Sequence, residues 1–483
     1  MWTTTDLWTN FRPRATPRPP APVRLEDMNS SASPNLRTTS TRRHGHTVRE
    51  HVLTAPLVHH SPDPRTVEIY AREYVPDGGE DRPALLFLQG GPGHGAPRPT
   101  ANGDGGSLSG WLGEALNHYR VILFDQRGTG RSTPVDVAAP EALGPTPQDQ
   151  ADYLTHLRAD SIVEDAELLR RALGDDPWTL LGQSFGGFCI TSYLSRRPEG
   201  VREAFFTGGL PGYANDAHTR VDDIYRATFA KTAVRNDRFY TRFPWARHRV
   251  AEICRHLDDT EETLPTGERL TSRRFRTVGM NLGRTGGFDM LSYLLEDPFR
   301  TVPGSPGAAG RRRLRTPFLT ELAGHLSVSD APLYAVMHES IYGIDTATRW
   351  SAHRLREEVS GFTENTENTD RAGGPLYLTA EHFFPWQFEE DPALRPWKEV
   401  ADLLAAKDDW TPLYDADQLR QTSVPTAAAV YLDDIFVPFE LSMETASTIR
   451  GLRPRVTNRW EHNGISQDGA AILRHLRALV KDH

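Results

Sequence analysis

The spacing of apolar residues divides this chain into four stretches. Residues 1–45 show no period and are rich in Pro, Ser, Thr and Arg. So little apolar surface cannot offset the entropy of ordering, which predicts a disordered tail. Met28, inside that stretch, offers an alternative start. From residue 46 to 210 the pattern alternates between strand and helix. Thr47–Leu57 and Thr66–Val75 predict an antiparallel pair. Ala84–Leu88 (ALLFL), Tyr119–Phe124 (YRVILF), Trp178–Leu181 and Ala204–Thr207 are short continuous apolar runs. Between them, Leu154–Leu173 places Ile162, Val163, Ala166, Leu169 and Leu173 on one side of a helix. Apolar runs separated by helices predict a mostly parallel sheet covered on both faces.

Residues 211–415 lose that rhythm. Asp222–Val234, Phe288–Leu295 and Pro332–Ile341 predict helices joined by charged and Pro-rich connections, with no internal repeat. The alternation returns over residues 416–483. Val424–Leu432 and Arg455–Trp460 read as strands. A closing helix over Gln467–Lys481 carries Ile472, Leu473, Leu476, Leu479 and Val480 on one face. The expected architecture is therefore α/β: a catalytic core of residues 46–210 and 416–483, interrupted by a mainly helical lid of residues 211–415.

Composition narrows the class of protein. Of 483 residues, 38% are hydrophobic and 25% charged, as in a soluble globular chain. No run approaches the ~18 apolar residues of a membrane span. The formal charge of −9 comes with no dominant basic patch, which argues against nucleic acid as a partner. Cys189 and Cys254 lie in no CxxC or Cys/His cluster, so no zinc site is built on cysteine. The first residues lack an apolar signal region, and the expected location is cytoplasmic.

Three motifs carry chemistry. Gly182-Gln183-Ser184-Phe185-Gly186 follows the run WTLL and precedes a helical segment. A G-x-S-x-G in that context is a nucleophile elbow, which lifts the Ser184 hydroxyl clear of the sheet. The next helix aims its N-terminus at the reacting carbonyl. The second motif, Gln89-Gly90-Gly91-Pro92-Gly93, follows ALLFL. No Lys-Ser/Thr pair completes a phosphate loop. With an elbow present, such a loop supplies one backbone N–H of an oxyanion hole, here Gly91, and Phe185 supplies the other. The third motif completes a triad in the order Ser, acid, His. Val424–Leu432 ends in Asp433-Asp434, and Arg455–Trp460 ends in Glu461-His462. His462 is the expected base and Asp434 the expected acid, with Asp433 as its rival.

GGPG at 90–93, DQRGTGRS at 125–132 and GQSFGG at 182–187 together resemble the prolyl aminopeptidase (proline iminopeptidase) family of α/β-hydrolases. The resemblance runs from about residue 47 to the C-terminus. It includes DDIFVP at 433–438, where the family's DxxxP pattern favours Asp434. It departs at Gln89, where the family usually has His. In that family, acidic lid residues bind the free amino group of the substrate. AVMHE at 335–339 and EHFF at 381–384 resemble those segments. The resemblance thus implies Glu339 and Glu381 as ammonium ligands, with Phe383, Phe384 and Trp386 packing on a proline ring. It implies a peptide substrate with a free N-terminus, cleaved through an acyl-enzyme without metal or cofactor. An esterase or another amide hydrolase would share the same triad. A non-catalytic binding module is the alternative of another class; such proteins commonly lose a triad member, and here all three positions are filled.

Overall fold

The computed structural model describes residues 35–100, 108–136, 140–212, 221–303, 310–364 and 375–481. Met28 and most of the expected tail lie outside these residues. Among the described residues, nine strands form one sheet. They are β1 (Leu36–Arg43), β2 (His46–Pro56), β3 (Thr66–Val75), β4 (Ala84–Leu88), β5 (Arg120–Phe124), β6 (Trp178–Gln183), β7 (Val201–Thr207), β8 (Thr426–Tyr431) and β9 (Arg453–Thr457). Their spatial order is β1-β2-β3-β5-β4-β6-β7-β8-β9. The pairs from β1 to β5 are antiparallel, and those from β5 through β4 to β9 are parallel.

β1 corrects the expectation of an unstructured stretch reaching residue 45. It pairs with β2 along its whole length, from Leu36 opposite Leu53 to Arg43 opposite His46. The strand LRTTSTRR is polar because it forms a sheet edge and buries Leu36 alone. Its local signal is the two-residue turn His44-Gly45, with φ of 53° and 78°. Positive φ at both turn positions suits the right-handed twist of a hairpin.

The parallel strands β4 to β8 bury both faces, while β9 is an exposed edge. Leu86, Leu88, Ile122, Leu180, Phe206, Ala428 and Val430 belong to the core that continues into the insertion. Their neighbours Leu85, Phe87, Val121, Leu123, Leu181, Phe205 and Ala429 point the other way. That second face is covered by helices Gly110–Leu116 and Gly464–Lys481. This is period-two alternation with apolar residues on both sides.

The helix expected over Leu154–Leu173 is two helices, Pro147–Thr155 and Ala159–Ala172. The first begins with a capping box between Thr146 and Asp149. At the break between them the His156 carbonyl accepts from the Arg127 guanidinium, at 2.8 Å. Between β7 and β8 the longest helices are Val221–Arg242 and Pro244–Asp259. Two short antiparallel pairs, Glu262–Thr263 with Arg269–Leu270 and Phe299–Val302 with Arg311–Leu314, interrupt that helical region.

Candidate active site

β6 ends at Gln183, and helix Phe185–Arg196 starts two residues later. Ser184 bridges them with φ 52° and ψ −122°. A non-glycine residue in such a region costs of order 1–3 kcal/mol and is held there by its surroundings. Close packing forces the flanking glycines. A Cβ on Gly186 would fall 1.9 Å from the Leu88 carbonyl oxygen, and one on Gly182 would fall 2.5 Å from Gly186. The turn leaves the Phe185 N–H as the first donor of a 12-residue helix, beside the Ser184 side chain.

The loop after β4 faces this turn. Gly91, with φ 68°, accepts the His94 N–H at 3.0 Å through its carbonyl. The 125–132 segment braces the loop from behind. Gln126 donates its amide to the Gln89 carbonyl at 3.1 Å. Asp125, fully buried, accepts the backbone N–H groups of Ala96 and Arg131 and pairs with Arg98. Arg127 makes two bonds of 2.6 Å with buried Asp165.

β8 and β9 deliver the other two members of the expected triad. Asp434 Oδ1 accepts the N–H groups of Phe436 and Val437, at 2.8 and 3.0 Å. Its Oδ2 accepts from His462 Nδ1 at 2.7 Å. Asp433 points away and pairs with Arg238 at 2.7 Å. Of the two adjacent carboxylates, only Asp434 reaches the imidazole. With Nδ1–H donated to Asp434, Nε2 of His462 carries the lone pair of a base, and it accepts from the Gln183 amide at 3.4 Å. Burial works to lower the His462 pKa, but the charge and hydrogen bond of Asp434 outweigh it. The net shift is upward, with a smaller contribution from Glu381.

Ser184, His462, Gly91, Glu381 and Phe383 all line one cavity of about 710 Å³. Glu381 accepts a short hydrogen bond from the Tyr334 hydroxyl. Burial and this carboxylate raise the Tyr334 pKa well above the usual phenol value, so the hydroxyl stays a donor. His338 lies 3.8 Å from the other Glu381 oxygen. Phe383 packs edge-on against Tyr334 at 5.3 Å. Neighbouring His382 is held neutral, its pKa lowered to about 3 by burial and then by His338. It accepts the Ala380 N–H on Nδ1 and donates from Nε2 to Thr228.

Three residues expected at the substrate do not line this cavity. Glu339 is buried, and its two oxygens accept the N–H groups of Ser351 and Ala352 at 3.0 Å each. It holds the start of helix Ser351–Leu355, and burial raises its pKa. Phe384 and Trp386 stack on each other, with centroids 5.4 Å apart, inside the core of the insertion. Conversely, the sequence reading passed over Tyr334 and Gln183. Tyr334 carried no signal beyond its helical segment. The Gln183 amide nitrogen lies 3.4 Å from His462 Nε2, and only its position in the elbow motif could have marked it.

A strained serine between strand and helix, an acid and a histidine after the last two strands, and an insertion over the site define an α/β-hydrolase. Residues 83–300 match the family model of the α/β hydrolase fold. The chain is 42% identical over 436 residues to a proline iminopeptidase of Aeromonas sobria, covering 89% of this chain and 96% of that one. It is 31% identical over 472 residues to a proline iminopeptidase of Aspergillus aculeatus, covering 96% and 98%. Among solved structures, it is similar to esterase E22 at 10% identity and a TM-score of 0.45, covering 90% and 100%. The chain belongs to the proline iminopeptidase family, and it is an enzyme, a hydrolase of the serine peptidase class.

Proposed function

We propose that the enzyme releases an N-terminal residue, preferably proline, from peptides through an acyl-enzyme. The observation that carries this reading is a carboxylate, Glu381, in the same cavity as Ser184 and His462. An aminopeptidase must recognise a free ammonium, and an ammonium leaving water needs a compensating carboxylate.

In this mechanism Ser184 Oγ attacks the carbonyl carbon of the N-terminal residue, and its proton passes to His462 Nε2. Asp434 holds the tautomer that allows this and stabilises the imidazolium. The oxyanion accepts from the N–H groups of Gly91 and Phe185, each worth ~3 kcal/mol in comparable sites. His462 then returns the proton to the leaving nitrogen as the C–N bond breaks. Water repeats the cycle on the acyl-enzyme. Glu381, held by Tyr334, pairs with the substrate ammonium, and Phe383 offers a face to the proline ring. The substrate is a peptide with a free N-terminus. We also assign the enzyme to the cytoplasm, which suits Cys189 and Cys254 being buried thiols.

Glu381→Gln tests the ammonium site. Removing one partner of a buried charge pair costs about 2–5 kcal/mol. The variant should therefore lower kcat/KM for a Pro-arylamide roughly 30-fold or more. It should hydrolyse a neutral ester without an amine nearly as well as the parent. The ester also reports the pH dependence. His462 must be neutral to accept a proton, so kcat/KM rises with pH through its raised pKa, above the ordinary 6.5. Glu381 contributes to that rise, so its neutralisation should move the acid limb to lower pH. Equal losses on amine and ester substrates would make the enzyme a general acyl hydrolase.

A further inference from the structure

The cavity that holds Ser184 carries a cation the mechanism above does not use. Arg284 follows the turn Thr277–Gly283, and its exposed side chain lines the cavity rim. Both of its neighbours are tied to the loop of the catalytic histidine. The Gly283 carbonyl accepts the His462 backbone N–H at 3.2 Å. The Thr285 N–H donates to the Asn463 side chain at 2.9 Å. Gly283 also lies so close to Phe436 that a Cβ there would fall 2.6 Å from the ring. Arg284 therefore rises from backbone fixed against His462.

Its guanidinium is available. The polar contact it makes is with the Met280 sulfur at 3.7 Å. Among the described residues, no carboxylate lies within ion-pair distance of it. Asp330, His94 and His325 also line the cavity. Burial lowers the His325 pKa; Glu321 opposes this and Arg284 adds repulsion. Glu381 stands across Met280 from Arg284: the same sulfur lies 4.0 Å from the Tyr334 hydroxyl that donates to Glu381. The cavity thus presents a carboxylate for one end of a ligand and a cation on a segment tied to the histidine loop.

Chemistry fixes which end meets which. His462 must protonate the leaving nitrogen, so the residue after the scissile bond lies beside His462, a ring within electrostatic reach of Arg284. In a dipeptide, the C-terminal carboxylate is separated from that nitrogen by a single carbon. We propose that Arg284 binds the C-terminal carboxylate of short peptide substrates and makes dipeptides with a free C-terminus the preferred class. This rests on the aminopeptidase reading: Glu381 takes the ammonium and Arg284 the carboxylate of one zwitterion.

The test is the ratio of kcat/KM for Pro-Gly to that for Pro-Gly amide. The two share the ammonium and the scissile bond, so a change in folding or in His462 basicity cancels in the ratio. The parent should prefer the free acid by about fivefold, the upper end for a partly exposed ion pair. Arg284→Gln should bring the ratio to about one, and Arg284→Glu below it. Arg284→Lys should keep part of the preference, since it retains charge but loses the planar fork. A parent ratio at or below one, or a ratio unmoved in Arg284→Gln, overturns the proposal. If the parent cleaves neither peptide, the aminopeptidase reading fails and the proposal falls with it.

Discussion

Ser184→Ala is expected to fold like the parent and to lose ~10⁴–10⁶ of its kcat on a Pro-arylamide. Triad residues act as a unit, and without the nucleophile only the oxyanion donors and substrate binding remain. The substitution removes one oxygen at the cavity wall. The backbone at this turn is held by the close packing of Gly182 and Gly186, which the substitution does not touch. The melting temperature should therefore stay within a few degrees while turnover disappears. Thermal unfolding and initial rates on one preparation check both halves. Retention of a tenth of the activity would remove Ser184 from the role of nucleophile.

Asp434→Asn should cost about 10⁴ in kcat, through the tautomer of His462. Asp434 accepts three hydrogen bonds, two from backbone N–H groups and one from the imidazole. An asparagine has one acceptor oxygen and one amide donor. Keeping the oxygen on the two backbone donors turns the amide toward Nδ1. The imidazole must then carry its proton on Nε2, where it cannot receive one from Ser184. Asp433→Asn loses only a partly exposed ion pair with Arg238, worth about 1 kcal/mol or less. Its kcat should stay within a few-fold of the parent. Reversal of the two results would make Asp433 the acid.

What the sequence disclosed follows how local each signal is. Ser184 and Asp434 follow strands whose apolar runs stop abruptly at polar residues, and His462 follows the polar edge strand RPRVT. The elbow also carries its own steric signature, because Gly182 and Gly186 admit no side chain. The choice between Asp433 and Asp434 is less local. It depends on which carboxylate meets the N–H groups of Phe436 and Val437 as the chain turns. β1 was hidden because an exposed edge strand needs few apolar residues. The insertion was least legible. Glu339 and Glu381 each sit next to a histidine and near aromatic residues along the chain. Contacts across sequence separate them: Glu381 meets Tyr334, 47 residues away, at the cavity wall. Glu339 meets Ser351 and Ala352 inside the fold. No periodicity encodes that difference.

Arylamide hydrolysis tests the central claim most directly, with Pro-, Ala- and N-acetyl-Pro-arylamides compared under one set of conditions. A serine aminopeptidase that recognises its substrate through an ammonium beside Glu381 should cleave the Pro-arylamide fastest and the Ala-arylamide more slowly. Acetylation removes the charge and adds bulk where the carboxylate sits. It should lower kcat/KM by at least about 30-fold, as expected for a lost buried charge pair. Cleavage of the acetylated substrate as fast as its parent compound would contradict the account, since no ammonium would then be needed.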